Sequence, residues 1–333
     1  MATLSALNPT LMDVMSVTDP NGSIATVAEI LNETNEILLD MTMIEGNLPT
    51  GHKTTVRRGI PMPTWRQLYG GVQPNKSGYA SVTDSTGMLE AYAEIDKALA
   101  DLNGNTSSFR LQEDRAHIEG MSQTAAATVF QGNEAVNPER FTGMNARYND
   151  LGAENGENIL DAGGTGTDNA SIWLLGWGPN TLHGIYPKGS KAGLQMEDKG
   201  QVTIENADGN NGRMEAYRSH YRWDLGLTLR DWRYCVRIAN IDRSLLNADA
   251  SGTSANLPDL MFEATELVPN LSSARMAFYM DRKIRTKVRQ QLANAVTSST
   301  LTVDQVGGVR VMSIDDIPMR RVDALSIDEA RVT

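Results

Sequence analysis

The chain has 333 residues, of which 40% are hydrophobic and 21% charged, and carries a formal net charge of −11. It is long enough for about two domains and a sizeable core. Its acidity disfavours nucleic-acid binding by the bulk surface, which needs clustered Lys and Arg. The one cysteine, Cys235, excludes a disulfide framework within the chain and fits a reducing compartment. No apolar run approaches the ~20 residues that span a membrane, and no signal peptide is expected at the N-terminus.

Residues 1–52 hold seven acids and no Lys or Arg. Residues 1–22 read as an extended arm, with Asn8-Pro9 and Asp19-Pro20-Asn21-Gly22 as turn signals. Ser23 is an N-cap for a helix expected over residues 24–40. Its apolar positions form one stripe, and Glu29, Glu33, Glu36 and Asp40 form a second. No Lys relieves the repulsion along that second stripe, which costs roughly 0.2–0.5 kcal/mol per like-charged pair. A solvated face is one reading of it, and a face awaiting a basic partner is the other.

Residues 46–83 then contain no Asp or Glu, but do contain Lys53, Arg57, Arg58, Arg66 and Lys76. Four prolines and six glycines exclude a core element. Strand pattern at 54–56 and 79–83 flanks a Pro-rich tip carrying Trp65, Leu68 and Tyr69, so a long hairpin is expected. Two strands of ~12–15 residues would reach ~40–50 Å. Such a hairpin is barely stable alone in water and needs a surface to lie on.

Residues 88–102 show helical spacing, although 88–95 fit equally well as the tail of the returning strand. A longer helix is expected from Ser107 or Ser108 to Phe130, closed by Gln131-Gly132-Asn133. Residues 135–169 are Gly-, Asn- and Asp-rich with little periodicity. Strands follow at 172–177, 202–205 and within 214–241. A short helix is expected over 257–267, and another, capped by Ser272 or Ser273, to about 295. Two terminal strands, 309–314 and 319–325, are joined by Asp315-Asp316-Ile317-Pro318.

Catalytic signals are weak. The four histidines are scattered, and no HExxH or CxxC occurs, which argues against zinc. Gly163-Gly164-Thr165-Gly166-Thr167 reads as a turn, since the context of a dinucleotide site is missing. Residues 184–189 have P-loop spacing, but Ser190-Lys191 reverses the required order. No GxSxG occurs, and Cys235 lies in a strand as a packed thiol. The late helix is basic, with Arg282, Lys283, Arg285, Lys287 and Arg289. It reads either as a solvated face or as a contact for an acidic partner or packaged nucleic acid. Aromatic residues interleaved with Arg over 217–234 read as cross-strand pairs.

The order of arm, basic hairpin, long helix, β-rich middle, late helix and terminal strand pair resembles the major capsid proteins of tailed bacteriophages with the HK97-type fold. The stretches EGNLPTGHKTTVRRGIPMPTWRQLYGGVQPNKS, GMLEAYAEIDKALADLNGN, WGPNTLHGIYPKGSKAGLQMEDKG and GGVRVMSIDDIPMRRVDAL resemble the short-tailed (podovirus-like) version. The resemblance implies an α+β fold divided into an N-terminal arm (1–44), an extended loop (45–85) and a peripheral domain (86–149) with its spine helix at about 107–131. A mostly axial region (150–300) and a return to the peripheral domain (301–333) complete it.

It also implies a structural protein with no catalysis and no cofactor, self-assembling as pentamers and hexamers into an icosahedral head. Double-stranded DNA would be enclosed without sequence-specific binding. A separate scaffolding protein is expected, since the arm begins almost at Met1, together with a portal and a possible decoration protein. No membrane is involved. The expected inter-subunit contacts are Glu29, Glu33, Glu36, Asp40, Lys53, Arg57, Arg58, Trp65, Arg66, Tyr69 and Lys76. Two alternatives stand beside this reading: an encapsulin-like bacterial nanocompartment shell and a β-rich hydrolase.

Overall fold

A computed structural model describes residue 9 and residues 33–104, 106–205, 212–294, 301–306 and 309–333. The chain opens with a helical turn, Ile37–Asp40 (α1), and strands Met43–Glu45 (β1), Gly51–Gly59 (β2) and Gly78–Asp96 (β3). Helices Lys97–Ala100 (α2), Thr106–Gln131 (α3) and Met144–Arg147 (α4) follow. The β-rich middle comprises Ile159–Asp161 (β4), Asn169–Trp177 (β5), Leu182–Tyr186 (β6), Gln195–Glu205 (β7), Arg213–Leu229 (β8) and Cys235–Asp242 (β9). Then come Leu257–Glu266 (α5), Arg275–Met280 (β10), Arg282–Asn294 (α6), Leu301–Val306 (β11), Val309–Ile314 (β12) and Ile317–Arg321 (β13).

The centre is β5, buried along its whole length. Its residues are apolar on both faces, as in a strand covered from both sides. Trp173, Leu175 and Trp177 enter one core, closed by Ala125, Ala126, Val129 and Phe130 of α3. Ile172 and Leu174 enter the other, closed by Leu257 and Met261 of α5 and Ile284, Val288 and Leu292 of α6. Strands β9 and β10 flank β5 and alternate in the same way, Tyr279 facing the first core and Phe278 the second.

Strand β3 does two jobs. From Gly78 to Ser85 it pairs antiparallel with β2 as the outgoing hairpin. From Thr86 to Asp96 it pairs antiparallel with β8 in the body of the protein. The 88–95 stretch is therefore strand, and its helical spacing is resolved against the helix. The backbones approach closely at this handover. A Cβ added at Gly51 would lie 2.1 Å from the Asp84 carbonyl oxygen, and one at Gly226 would lie 2.7 Å from that of Ser85.

Three expectations are corrected. The arm helix over 24–40 is not continuous. Residues 24–32, with Glu29, lie outside the described residues, and Glu33 and Thr34 are not helical. Asn35 bridges to Val322, the Glu36 amide donates to the Arg321 carbonyl at 3.2 Å, and the Asp323 amide to the Thr34 carbonyl at 3.2 Å. Those bonds take backbone groups that a helix would use internally, so Glu33 leaves the expected face, whereas Glu36 and Asp40 stay one helical turn apart, the Asp40 amide donating to the Glu36 carbonyl at 3.3 Å. The late helix does not start at Ser272 or Ser273; residues 275–280 form β10, and α6 begins at Arg282. The strand expected over 202–205 begins at Gln195. Strands β6 and β11 had no counterpart in the sequence reading.

The long helix was better marked. The helix expected from Ser107 or Ser108 is α3, 26 residues long, about 39 Å at 1.5 Å per residue. Asp315 and Asp316 both adopt positive φ in the tight turn between β12 and β13, a conformation that Asp tolerates better than most residues.

Candidate assembly surface

The hairpin projects because its tip cannot pair. Pro61, Pro63 and Pro74 lack amide donors, and residues 60–77 contain no strand. Within the paired part, Thr54 faces Val82 and Arg57 faces Tyr79, with an irregularity between Arg57 and Gly59. At the tip, Trp65 and Tyr69 are fully exposed, and Ile60, Met62 and Leu68 nearly so. Tyr69 has φ of 65°. The Asn75 amide donates to the Met62 carbonyl across the tip and holds its two sides together.

The basic residues of this arm are spread along it. Lys53 is exposed at the root. Its backbone is bracketed by Asn47, whose side chain accepts from the Lys53 amide and donates to its carbonyl, each at 2.8 Å. Arg57 donates to the Tyr79 hydroxyl at 3.4 Å and lies 5.5 Å over its ring. Hydrogen bonds with Ser77 and Arg57 lower the Tyr79 pKa. Arg58 is in β2, and Arg66 and Lys76 are exposed in the tip.

The acidic residues do not meet this arm within the chain. The Glu33 carboxylate accepts from Asn35 at 3.4 Å. Glu36 pairs with Arg320 at 3.2 Å. Asp40 is buried, 3.1 Å from both Arg320 and Arg275, and accepts from the Tyr279 hydroxyl at 2.9 Å. Burial is the main cause that raises the Tyr279 pKa well above its ordinary value. Tyr279 in turn accepts from the Trp177 indole at 2.8 Å. Glu36 and Asp40 thus fasten the arm to its own chain. Their partners lie more than 230 positions away, and nothing in the local pattern marks them.

The hairpin root is polar and tightly packed. Arg147 of α4 donates to Asp84 at 2.8 Å and to the Leu227 carbonyl at 3.0 Å. The rings of His52 and His183 meet edge to face, 5.8 Å between centroids. His183 is buried, and neither of its ring nitrogens has a hydrogen-bond partner. Burial, with the nearby His52 and Arg230, pulls its pKa down to about 4. Sequence reasoning missed this cluster, because its members come from four separate elements.

Nothing resembling a catalytic centre emerges among the described residues. No group of three or more His, Cys, Asp or Glu could hold a metal. Residues 163–167 form a turn region, and Gly189, at φ +84°, donates its amide to the Glu45 carboxylate rather than opening a helix. Cys235 is fully buried, which pushes its thiol up to about 12. No helix among the described residues is long and apolar enough to cross a membrane.

A projecting hairpin continuous with a two-sided sheet, backed by a long helix, defines the HK97-like shell fold of phage capsid subunits. The chain belongs to the major capsid protein GP7 family, whose model matches residues 19–333. A cryo-EM structure of bacteriophage Epsilon15 is 34% identical over 100% of both chains, with a TM-score of 0.79. The capsid of bacteriophage JBD30 is 12% identical, covers 96% of this chain and 99% of its own, and gives 0.48. The SrpI encapsulin of Synechococcus elongatus PCC 7942 is 10% identical over 65% of this chain and 91% of its own, with 0.45. No curated protein matches the chain. The protein is a major capsid protein of a phage head, a virion component assembled from many copies of itself. The nanocompartment and hydrolase readings are not favoured.

Proposed function

We propose that this subunit closes an icosahedral head around double-stranded DNA by associating as pentamers and hexamers, without catalytic turnover. Residues 1–44 act as the arm and 45–85 as the loop that covers a neighbour. Residues 86–149 and 301–333 act as the peripheral domain, and 150–300 mostly as the axial one. The observation that carries this reading is the hairpin tip. Ile60, Met62, Trp65, Leu68 and Tyr69 stand more than four-fifths exposed within a stretch, residues 46–83, that holds no acid. Contiguous exposed apolar groups rimmed by charge mark an interaction surface.

Lys53, Arg57, Arg58, Arg66 and Lys76 would set the register of that contact, with Glu29 and Glu33 as proposed acidic counterparts on a neighbour. Exposed pairs are worth only ~0–1 kcal/mol each, so number and placement matter more than any one of them. A separate scaffolding protein, a portal and a decoration protein are the proposed partners. The packaged DNA would be held without sequence-specific contacts. Negative-stain imaging of the purified protein, alone and with scaffold, tests the proposal, together with analysis of the particles' contents. Closed shells of uniform size that contain DNA in virions are expected. A small discrete oligomer under assembly conditions, or protein cargo in place of DNA, would overturn it.

A further inference from the structure

Helix α6 takes no part in the shell contacts above. It carries Arg282, Lys283, Arg285, Lys287 and Arg289 and no acid from end to end, in a chain of net charge −11. Ile284, Val288, Gln291 and Leu292 are its buried side. The helical repeat places Arg282, Arg285 and Arg289 on one flank of the outward side, and Lys283 and Lys287 on the other. Thr286 and Gln290, neutral and exposed, lie between the two flanks.

Carboxylates reach only one end of this array. Asp323 takes Arg282 at 3.1 Å and Arg321 at 2.6 Å. Asp281 accepts from the Lys283 amide at 2.7 Å and also acts on Arg321. Glu36 acts on Arg285 but is bonded to Arg320 at 3.2 Å, and Asp40 is taken by Arg320 and Arg275. Arg285 is meanwhile crowded by Arg289, Arg320 and Arg321. With all four acids counted, Lys283, Lys287 and Arg289 still make no ion pair among the described residues, and Lys283 and Arg289 are exposed.

Shape selects the anion. The 13 residues of α6 form a rod about 20 Å long. With side chains a helix is ~10–12 Å across, and the major groove of duplex DNA is ~12 Å wide with a phosphate strand on each side. One duplex can therefore bring phosphates to both flanks at once, at one charge per ~1.7 Å of its axis. An extended acidic peptide carries its carboxylates along one line and reaches one flank.

We propose that the outward face of α6 binds the phosphate backbone of the packaged duplex, with Lys283 and Lys287 on one strand and Arg289 on the other. The layer formed by α5 and α6 then lines the inner wall of the head. This inference rests on the reading of the head as a container for double-stranded DNA. Backbone contacts of this kind position a duplex without reading its sequence. They give a subunit of net negative charge one local point of grip.

The test is formaldehyde cross-linking of DNA-filled heads, followed by nuclease digestion and peptide mapping. Lys283 or Lys287 is expected to carry nucleotide adducts. A phosphate beside an ammonium favours its charged form, so acetylation of these amines should be about tenfold slower in filled heads than in heads emptied by DNA release. Adducts confined to other segments, or equal acetylation in filled and emptied heads, would overturn the proposal. Carbodiimide links from either lysine to a carboxylate of another protein chain would overturn it too, by assigning the face to an acidic protein. Particles that hold no DNA would overturn the underlying reading and this proposal together.

Discussion

Arg237 Nη2 donates to Glu329 Oε2 at 2.8 Å, and both side chains are almost wholly buried. Ser171 donates to the same oxygen, Arg237 Nη1 donates to the Tyr148 carbonyl at 2.6 Å, and the guanidinium lies 5.2 Å over the Trp173 ring. This pair rivets the C-terminal segment across β9 and β5. Removing one member leaves a buried charge without its partner. Glu329→Ala should destabilise the unassembled subunit by about 3–5 kcal/mol, measured by denaturant unfolding. Replacing both partners by apolar residues of similar size should cost much less.

Acid should loosen the hairpin root through His183. In the folded chain its pKa is near 4, against an ordinary value of 6.5. As pH falls below about 6.5 the unfolded chain takes up this proton first, so stability declines down to about pH 4. Below that pH the group causes no further loss. The full effect is at most about 3 kcal/mol, reduced where solvent screens part of the ring. Stability curves for the native chain and for His183→Gln should converge as the pH is lowered across this window; parallel curves would remove His183 from the account.

Charge reversal on the outgoing strand separates folding from assembly. The Arg57→Glu, Arg58→Glu double variant should keep the circular dichroism and melting of the native subunit but form few or aberrant particles. Normal particles would sink the electrostatic part of the loop contact. Raising the salt should mimic the variant in part, since exposed charges are screened beyond about 8–10 Å.

Trp65 supplies the apolar counterpart. It touches so little of its own chain that Trp65→Ala should change subunit stability by less than about 0.5 kcal/mol. As a buried anchor in a neighbour it should cost 2 kcal/mol or more of association. The measurement is the critical concentration for assembly, which should rise at least tenfold.

Gly226 is required where β8 is paired between β3 and β6. Its added methyl would meet the Ser85 carbonyl at 2.7 Å and the Ile185 and Thr86 side chains at 2.9 Å. The backbone atom cannot swing away, so Gly226→Ala should destabilise by about 1–3 kcal/mol, read as a lowered melting temperature.

The parts of this fold legible in the sequence were those with one buried face or a clear punctuation. Helix α3 showed its buried stripe of Met121, Ala125 and Val129, and the hairpin showed its prolines. Strand β10 was hidden because Met276 to Met280 is buried on both sides, so its alternation carries no polar signal. The arm misled for the opposite reason. The spacing of its acids imitates a helix, whereas Asn35 is drawn into pairing with Val322, 287 positions on. Of the proposed contact residues, those on the hairpin were marked by composition. The engagement of Asp40 with Tyr279 and Arg275 was invisible, because long-range closure leaves no local trace.

Strand β3 leaves the hairpin and enters the body without a break at Ser85 and Thr86. An extended backbone is already near full length, so it can rotate or slide but cannot stretch. Whatever grips the tip of one subunit is therefore coupled, over roughly 60 Å of unbroken strand, to the sheet edge packed against α3 in the same molecule. In a closed shell each copy becomes a stiff spoke. If a neighbour grips the tip as proposed, a displacement of one body is handed on as a tug rather than absorbed in a slack linker, and the shell would respond to pressure from within as one mechanical lattice.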